Sequence, residues 1–337
     1  MTMKTTTRRS VLAAGACLLA IPATSFGQGA HKLDRITVAG WSKAITEVMP
    51  LLVDQDKGFY KAHGIELAYV PGAGGGDAIR NILSGQADVA FTDPGSLFAA
   101  LDKGAKLRAI YDIYPQNVFN VVSLKKSNIT KPSDLKGKKI GVYSLSSGTR
   151  QNLLVLLHQA GLSEKDVTIV VTGLLNFAPL LQGQVDATAA TDTGLLIGRA
   201  KGLGDVNVIE VGKYLNVSSD LFVVREEVFR TRKPVLKRFL QAYRDAAAWM
   251  IAKPEEAARL AAKRAIDGTD PAMNLGVIRL RNASAQSALT RKNGLGAMNL
   301  RSLQQAADAY LKLGLIEHPI KVSAVTSQEL LPGRTRP

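Results

Sequence analysis

Residues Leu83 to Asp93 recur, with one insertion, as Leu181 to Asp192, so the chain carries one building unit twice. In each copy a helical stretch ends at a glycine, Gly85 or Gly183. Gln-x-Asp then leads into a short strand that closes on Thr92-Asp93 or Thr191-Asp192. That punctuation belongs to an α/β unit. Open α/β sheets bind ligands beyond the carboxyl ends of their parallel strands, so two such units facing one another predict a two-lobed binder that encloses a small molecule.

Size and composition agree with that expectation. A chain of 337 residues with 46% hydrophobic content fits about two domains of roughly 150 residues each and excludes disordered and fibrous classes. At the start, Lys4, Arg8 and Arg9 precede an apolar run from Val11 to Ile21 and then Pro22, which reads as a secretory signal over residues 1–30. Thr7-Arg8-Arg9-Ser10 suits either twin-arginine or Sec export. The run falls short of the roughly 20 residues a membrane span needs, so the expected product is soluble and periplasmic. Cys17 is the only cysteine and its surroundings lack a good lipobox. The mature chain is therefore expected to do without disulfides, thiol catalysis or cysteine metal sites. The formal charge of +15 is spread over helices rather than clustered with aromatic residues, which argues against a nucleic-acid partner.

From Arg35 short apolar runs alternate with amphipathic stretches, the pattern of α/β with mostly parallel strands. Strands are expected at 36–39, 66–70, 89–91, 107–110, 121–124, 139–143, 168–171, 187–189, 206–211 and 221–224. Beyond Val224 helices dominate, at 233–251, 254–265 and 301–313, with Pro254 at a first helical position, Asn299 as a cap and Gly314 as a stop. The tail from Val322 shows no periodicity.

Two strand-to-helix loops look built to meet a ligand. In the first, Gly74, Gly75, Gly76 and Asp77 allow close backbone approach at a helix start, and Asp77 could equally serve as the cap. The second holds Ser146, Ser147, Gly148, Thr149 and Arg150, where hydroxyls, free amides and the helix dipole converge and Arg150 could grip a carboxylate or sulfonate. A solvent-facing Arg150 would weaken the case for an anion. By symmetry the strand-end Thr92 and Asp192 join them. Trp41 and Ser42, and Gln116 and Asn117 beside Tyr114, offer an aromatic wall with amide partners, and Asn176 occupies the position in the second unit that Gly76-Asp77 holds in the first. No enzyme signature accompanies these residues. His31, His63, His158 and His318 lack metal spacing, and Ser144-Leu-Ser146-Ser-Gly148 is only a loose nucleophile elbow.

Asp56 to Leu67, Leu83 to Ala90 and Asp134 to Val142, in that order behind a leader, strongly resemble the periplasmic solute-binding proteins of ABC importers. Within these the chain is similar to the nitrate, sulfonate and taurine group, also called NMT1/THI5-like or SsuA/TauA-like. The resemblance implies an α/β, type II periplasmic-binding fold, with lobe 1 from residues 31–119, lobe 2 from 120–221 and return helices in 222–337. It also implies hinge crossings near Phe119 and Leu221, a ligand cleft drawing on the residues named above, no cofactor, and a monomeric partner for a permease and ATPase. The function expected on this footing is capture of a small organic anion without catalysis, with a neutral heteroaromatic such as a thiamine pyrimidine precursor, or a sensing role, as the alternatives.

Overall fold

All ten apolar runs form strands, as their β-branched composition favours: Asp34–Ala39 (β1), Ile65–Val70 (β2), Val89–Thr92 (β3), Leu107–Tyr114 (β4), Phe119–Leu124 (β5), Lys139–Val142 (β6), Thr168–Val171 (β7), Ala187–Thr191 (β8), Val206–Glu210 (β9) and Asp220–Arg225 (β10). They come from a computed structural model that describes residues 33–331 apart from Asn176, so the expected leader lies outside the described residues. The strands assemble into two five-stranded sheets, ordered β2-β1-β3-β10-β4 and β7-β6-β8-β5-β9. In each sheet four strands run the same way and one runs against them. The exceptions are β10, antiparallel to β3 and β4, and β5, antiparallel to β8 and β9. These two are the strands that enter from the other sheet, after the crossings between Tyr114 and Phe119 and between Glu210 and Asp220.

The repeated unit shows why the sequence needs its aspartate. Asp88 accepts the Thr37 amide of β1 at 2.8 Å, and Asp186 accepts the Lys139 amide of β6 at 2.8 Å. Each carboxylate thus ties one parallel strand to its neighbour, a charge-assisted bond worth about 1.5–3 kcal/mol where it is sheltered. Gly85 and Gly183, at φ 78° and 70°, end the preceding helices in the left-handed region.

Helices cover both sheets, and one buried cluster runs from Ile79 and Leu97 of the first lobe to Ile140 and Leu153 of the second. The C-terminal helices return to the first lobe. Lys233–Ala252, Pro254–Arg264 and Leu300–Lys312 stand within a residue or so of expectation. The helix Pro271–Ser284 was not expected, nor was the short helix Val322–Val325 in the tail, which is followed by a bridge from Thr326 to Ala109 of β4. No described helix is long and apolar enough to cross a membrane.

Candidate functional site

The crossing strands run backwards, so their first residues stand at the edge where the parallel strands end. Phe119 opens β5 and Asp220 opens β10. They meet Trp41 beyond β1, Gly74 and Gly75 beyond β2, Asp93 beyond β3, Tyr143 beyond β6 and Thr191 at the end of β8. Between the lobes these residues enclose a cavity with about 430 Å³ of empty space, part of it open to solvent.

Its walls are aromatic. The Trp41 and Tyr143 rings, one from each lobe, meet edge to face at 6.2 Å, and Phe119 lies alongside. Its ionisable lining is mostly acidic: Glu47, Asp93 and Asp220 accompany a single guanidinium, Arg281. Asp93 caps its own helix, accepting from the Ser96 amide at 2.9 Å and the Ser96 hydroxyl at 2.7 Å. Burial pushes its carboxyl up, against the pull of those bonds. Glu47 is likewise raised by burial, while Arg281 and the Thr193 hydroxyl draw it down. Asp220 is 7% exposed, and no side-chain hydrogen bond holds it among the described residues. Burial, followed by the neighbouring charges of Asp93, Glu47 and Asp112, pushes its carboxyl well above the usual range.

Arg281 is 1% exposed and already engaged. It pairs with Asp192 and stands 3.7 Å from Glu47, while its Nε–H has no hydrogen-bond partner among the described residues. The buried Trp41 Nε1–H is unpartnered in the same way. The residues that line the cavity therefore bring two buried N–H groups without a hydrogen-bond partner among the described residues, three carboxyl groups of raised affinity for protons, and aromatic walls.

Of the residues expected at a ligand site, Trp41, Gly75, Ser147, Gly148 and Thr149 line this cavity. Others support it from behind. Thr92 Oγ1 donates to the Gly75 carbonyl at 3.0 Å. The Gly76 amide donates to the Ser146 carbonyl at 2.9 Å, so the two expected loops clasp one another across the cleft. Gly74 makes the clasp possible: at φ 140°, a Cβ on it would stand 2.4 Å from that same carbonyl oxygen. Gln116 donates to the Gln286 carbonyl at 2.7 Å and Asn117 to Asn152 at 2.9 Å, which fastens the crossing segment.

Four of the expected residues lie away from this cavity. Arg150 does not line the cavity, because its guanidinium forms a two-pronged pair with Glu164 within the second lobe. Asp77 neither caps the helix nor faces the cavity. Gly74 holds the cap position, and the Asp77 carboxylate accepts the Ala73 amide at 2.8 Å and pairs with Arg80 one turn on. Ser42 turns its hydroxyl to the Lys43 carbonyl at 2.8 Å and leaves its own carbonyl to Tyr69. Asp192 reaches the cavity only through Arg281. Asn176 lies outside the described residues.

Sequence reasoning missed Glu47, Asp220 and Arg281. Only Arg281 had a signal nearby: Asp270 and Pro271 mark a helix start, and the Asp270 side chain does cap Ala272. Among the described residues no group of three or more His, Cys, Asp or Glu could hold a metal ion.

Residues 45–257 match the family described as NMT1/THI5 like. The riboflavin-binding protein RibY of Chloroflexus aurantiacus is 24% identical over 89% of this chain and 87% of its own length. The 4-amino-5-hydroxymethyl-2-methylpyrimidine phosphate synthase of Aspergillus parasiticus is 25% identical over 66% of this chain and 69% of its own. Among solved structures, the alkanesulfonate-binding protein SsuA of Xanthomonas axonopodis pv. citri, bound to MOPS, superposes with a TM-score of 0.70 at 18% identity, covering 88% of this chain and 99% of that one. That likeness speaks for the fold alone. With its two mixed sheets and interlobe cavity, the chain has the periplasmic-binding-protein fold and belongs to the NMT1/THI5-like family.

Proposed function

We propose that this chain captures a small nitrogen heteroaromatic, such as an aminopyrimidine, in the periplasm and delivers it as a monomer to the permease and ATPase of an ABC importer. One observation carries the choice of ligand: three carboxyl groups and three aromatic rings converge on a cavity whose single arginine is already ion-paired. A buried carboxylic acid can donate to a ring nitrogen and accept from the adjacent amino group, and the Trp41 and Phe119 faces suit a flat ring. A sulfonate or carboxylate would instead find the one guanidinium of the cavity, Arg281, already paired with Asp192, and would raise the cost of any charge on Glu47, Asp93 and Asp220. The names of the riboflavin-binding and pyrimidine phosphate synthase relatives point to heterocycles as well.

An organic anion is the second reading, favoured by Arg281 and by the starts of the Gly75–Leu83 and Gly148–Gln159 helices at the cavity. The ligand acts by holding the lobes together, so that the closed arrangement is populated when it is bound. We read the chain as a binder rather than a catalyst because the cavity hydroxyls of Ser147 and Thr149 bond to one another at 2.7 Å rather than to a base.

Calorimetric titration against aminopyrimidines, flavins, sulfonates and carboxylates tests this reading, with each bound ligand recovered and checked for chemical change. Binding of an aminopyrimidine or flavin, lost in Asp220→Asn and returned unaltered, is the expected result. Binding of sulfonates alone would replace it with the second reading, and a transformed ligand would make the chain an enzyme.

A further inference from the structure

A second cavity opens on the far side of Glu47. It holds about 1000 Å³ of empty space, partly open to solvent, between Ile45, Glu47 and Asp267 of the first lobe and the Ala178–Leu181 and Asp192–Ala200 helices of the second. Glu47 is a wall of both cavities, so the outer groove lies next to the inner site. The character of the lining changes at that point. The inner cavity is acidic and aromatic, whereas the outer one is lined by Ile45, Leu174, Phe177, Leu181 and Ile197, with Lys201 as its basic group.

The groove is shaped as well as apolar. Gly198 has no side chain where a Cβ would stand 2.6 Å from the Phe177 ring, so the ring packs close against that helix. Leu174 and Leu181 remain 46% and 44% exposed, large hydrophobic side chains left facing water beside a ligand cavity. Because both lobes contribute walls, the groove has its full depth only when the lobes are closed, which is the state a bound ligand favours. An occupant that arrives with the ligand fits these facts, since it would be seated by the same closure.

We infer that the outer groove seats an aliphatic arm carried by the ligand. The heteroaromatic head lies in the inner cavity, and a chain of several carbons passes beside Glu47 and runs over Leu181 and Ile197 toward Lys201. This rests on the reading of the inner cavity given above and adds a substrate class to it: a nitrogen heterocycle with an apolar extension.

Calorimetric titration of the full chain with 4-aminopyrimidine and with its 5-n-propyl and 5-n-hexyl derivatives tests the inference. Each buried methylene, at about 0.8 kcal/mol, tightens binding about fourfold over the first few carbons. In Leu181→Asp that gain disappears while the unsubstituted ring binds as before. Leu174→Asp, on the same exposed wall, serves as the second variant if the first does not fold. An arm that adds nothing, or a gain that survives both variants, overturns the inference while leaving the inner site standing. Failure of the ring and of every derivative to bind removes the reading of the inner cavity, and this inference with it.

Discussion

The Thr193 hydroxyl donates to Glu47 Oε1 at 2.8 Å, joining the Asp192–Ala200 helix of the second lobe to the Thr46–Leu51 turn of the first. Both residues are buried, so opening the cleft exchanges this bond for water. With the Arg281 pair to Asp192 on this side and the Gly76 amide to the Ser146 carbonyl on the other, the lobes are fastened at two edges of the cavity.

Thr193→Val keeps the shape of that side chain and removes the donor. The expected loss is about 1 kcal/mol from the closed arrangement, or about fivefold in ligand affinity. Small-angle scattering of the unliganded variant should give a larger radius of gyration than that of the unaltered chain; equal radii would remove this contact from the closing device.

Asp220 behaves differently, because among the described residues no side-chain hydrogen bond offsets its burial. Asp220→Asn removes a strained carboxyl and should leave the melting temperature unchanged or higher. If Asp220 meets the ring, affinity for an aminopyrimidine falls tenfold or more, the scale of a hydrogen bond with charged character. Calorimetry and a melting curve on the same preparation separate the two effects.

Arg150→Ala should barely touch binding. Its side chain and that of Glu164 are 22% and 40% exposed, so the pair contributes at most about 1 kcal/mol and a few degrees of melting temperature. A change in affinity beyond about twofold would return Arg150 to the ligand site.

Asp112 sets a pH dependence. It accepts from the Ser218 hydroxyl at 2.7 Å, its other oxygen is unpartnered among the described residues, and burial pushes its pKa from 3.8 to about 8. The folded chain therefore holds this proton more tightly than the unfolded chain. Its contribution is fully present below about pH 4 and is lost as the pH rises to about 8. Asp112→Asn lacks the titration. Melting temperatures taken from pH 4.5 to 8.5 should show the unaltered chain losing ground against the variant as the pH rises, and parallel curves would exclude the effect.

The strands were legible because each is a compact run of β-branched residues, and the repeat made the paired roles of Asp88 and Asp186 visible as a spacing. The glycine loop and the serine loop were legible as two strand-to-helix turns, and the clasp between them was not, because the Gly76 amide and the Ser146 carbonyl belong to distant segments. The polar heart of the cavity was not. Glu47 is a lone acid in an apolar stretch, and its partner Thr193 lies 146 residues away. The Pro271–Ser284 helix buries Asn274, Arg281 and Asn282 beside Val277 and Ile278, so polar residues break the apolar stripe that would announce it. Arg150 was placed by its loop, whereas its direction is set by Glu164, which no local pattern connects to it.

The route of the chain also imposes an order of assembly. Strands β5 to β9 of the second sheet lie in one uninterrupted stretch from Phe119 to Glu210, so that lobe can form as soon as its last strand is available. The first sheet cannot. Its interior strand β10, between β3 and β4, comes from Asp220–Arg225, after the whole of the other lobe. Until then β3 and β4 have an unpaired edge where β10 will lie, a surface open to wrong pairing. A chain cut short before residue 220 should yield one finished lobe attached to a sticky fragment, and its aggregation should be cured by supplying the missing strand and helices as a separate piece.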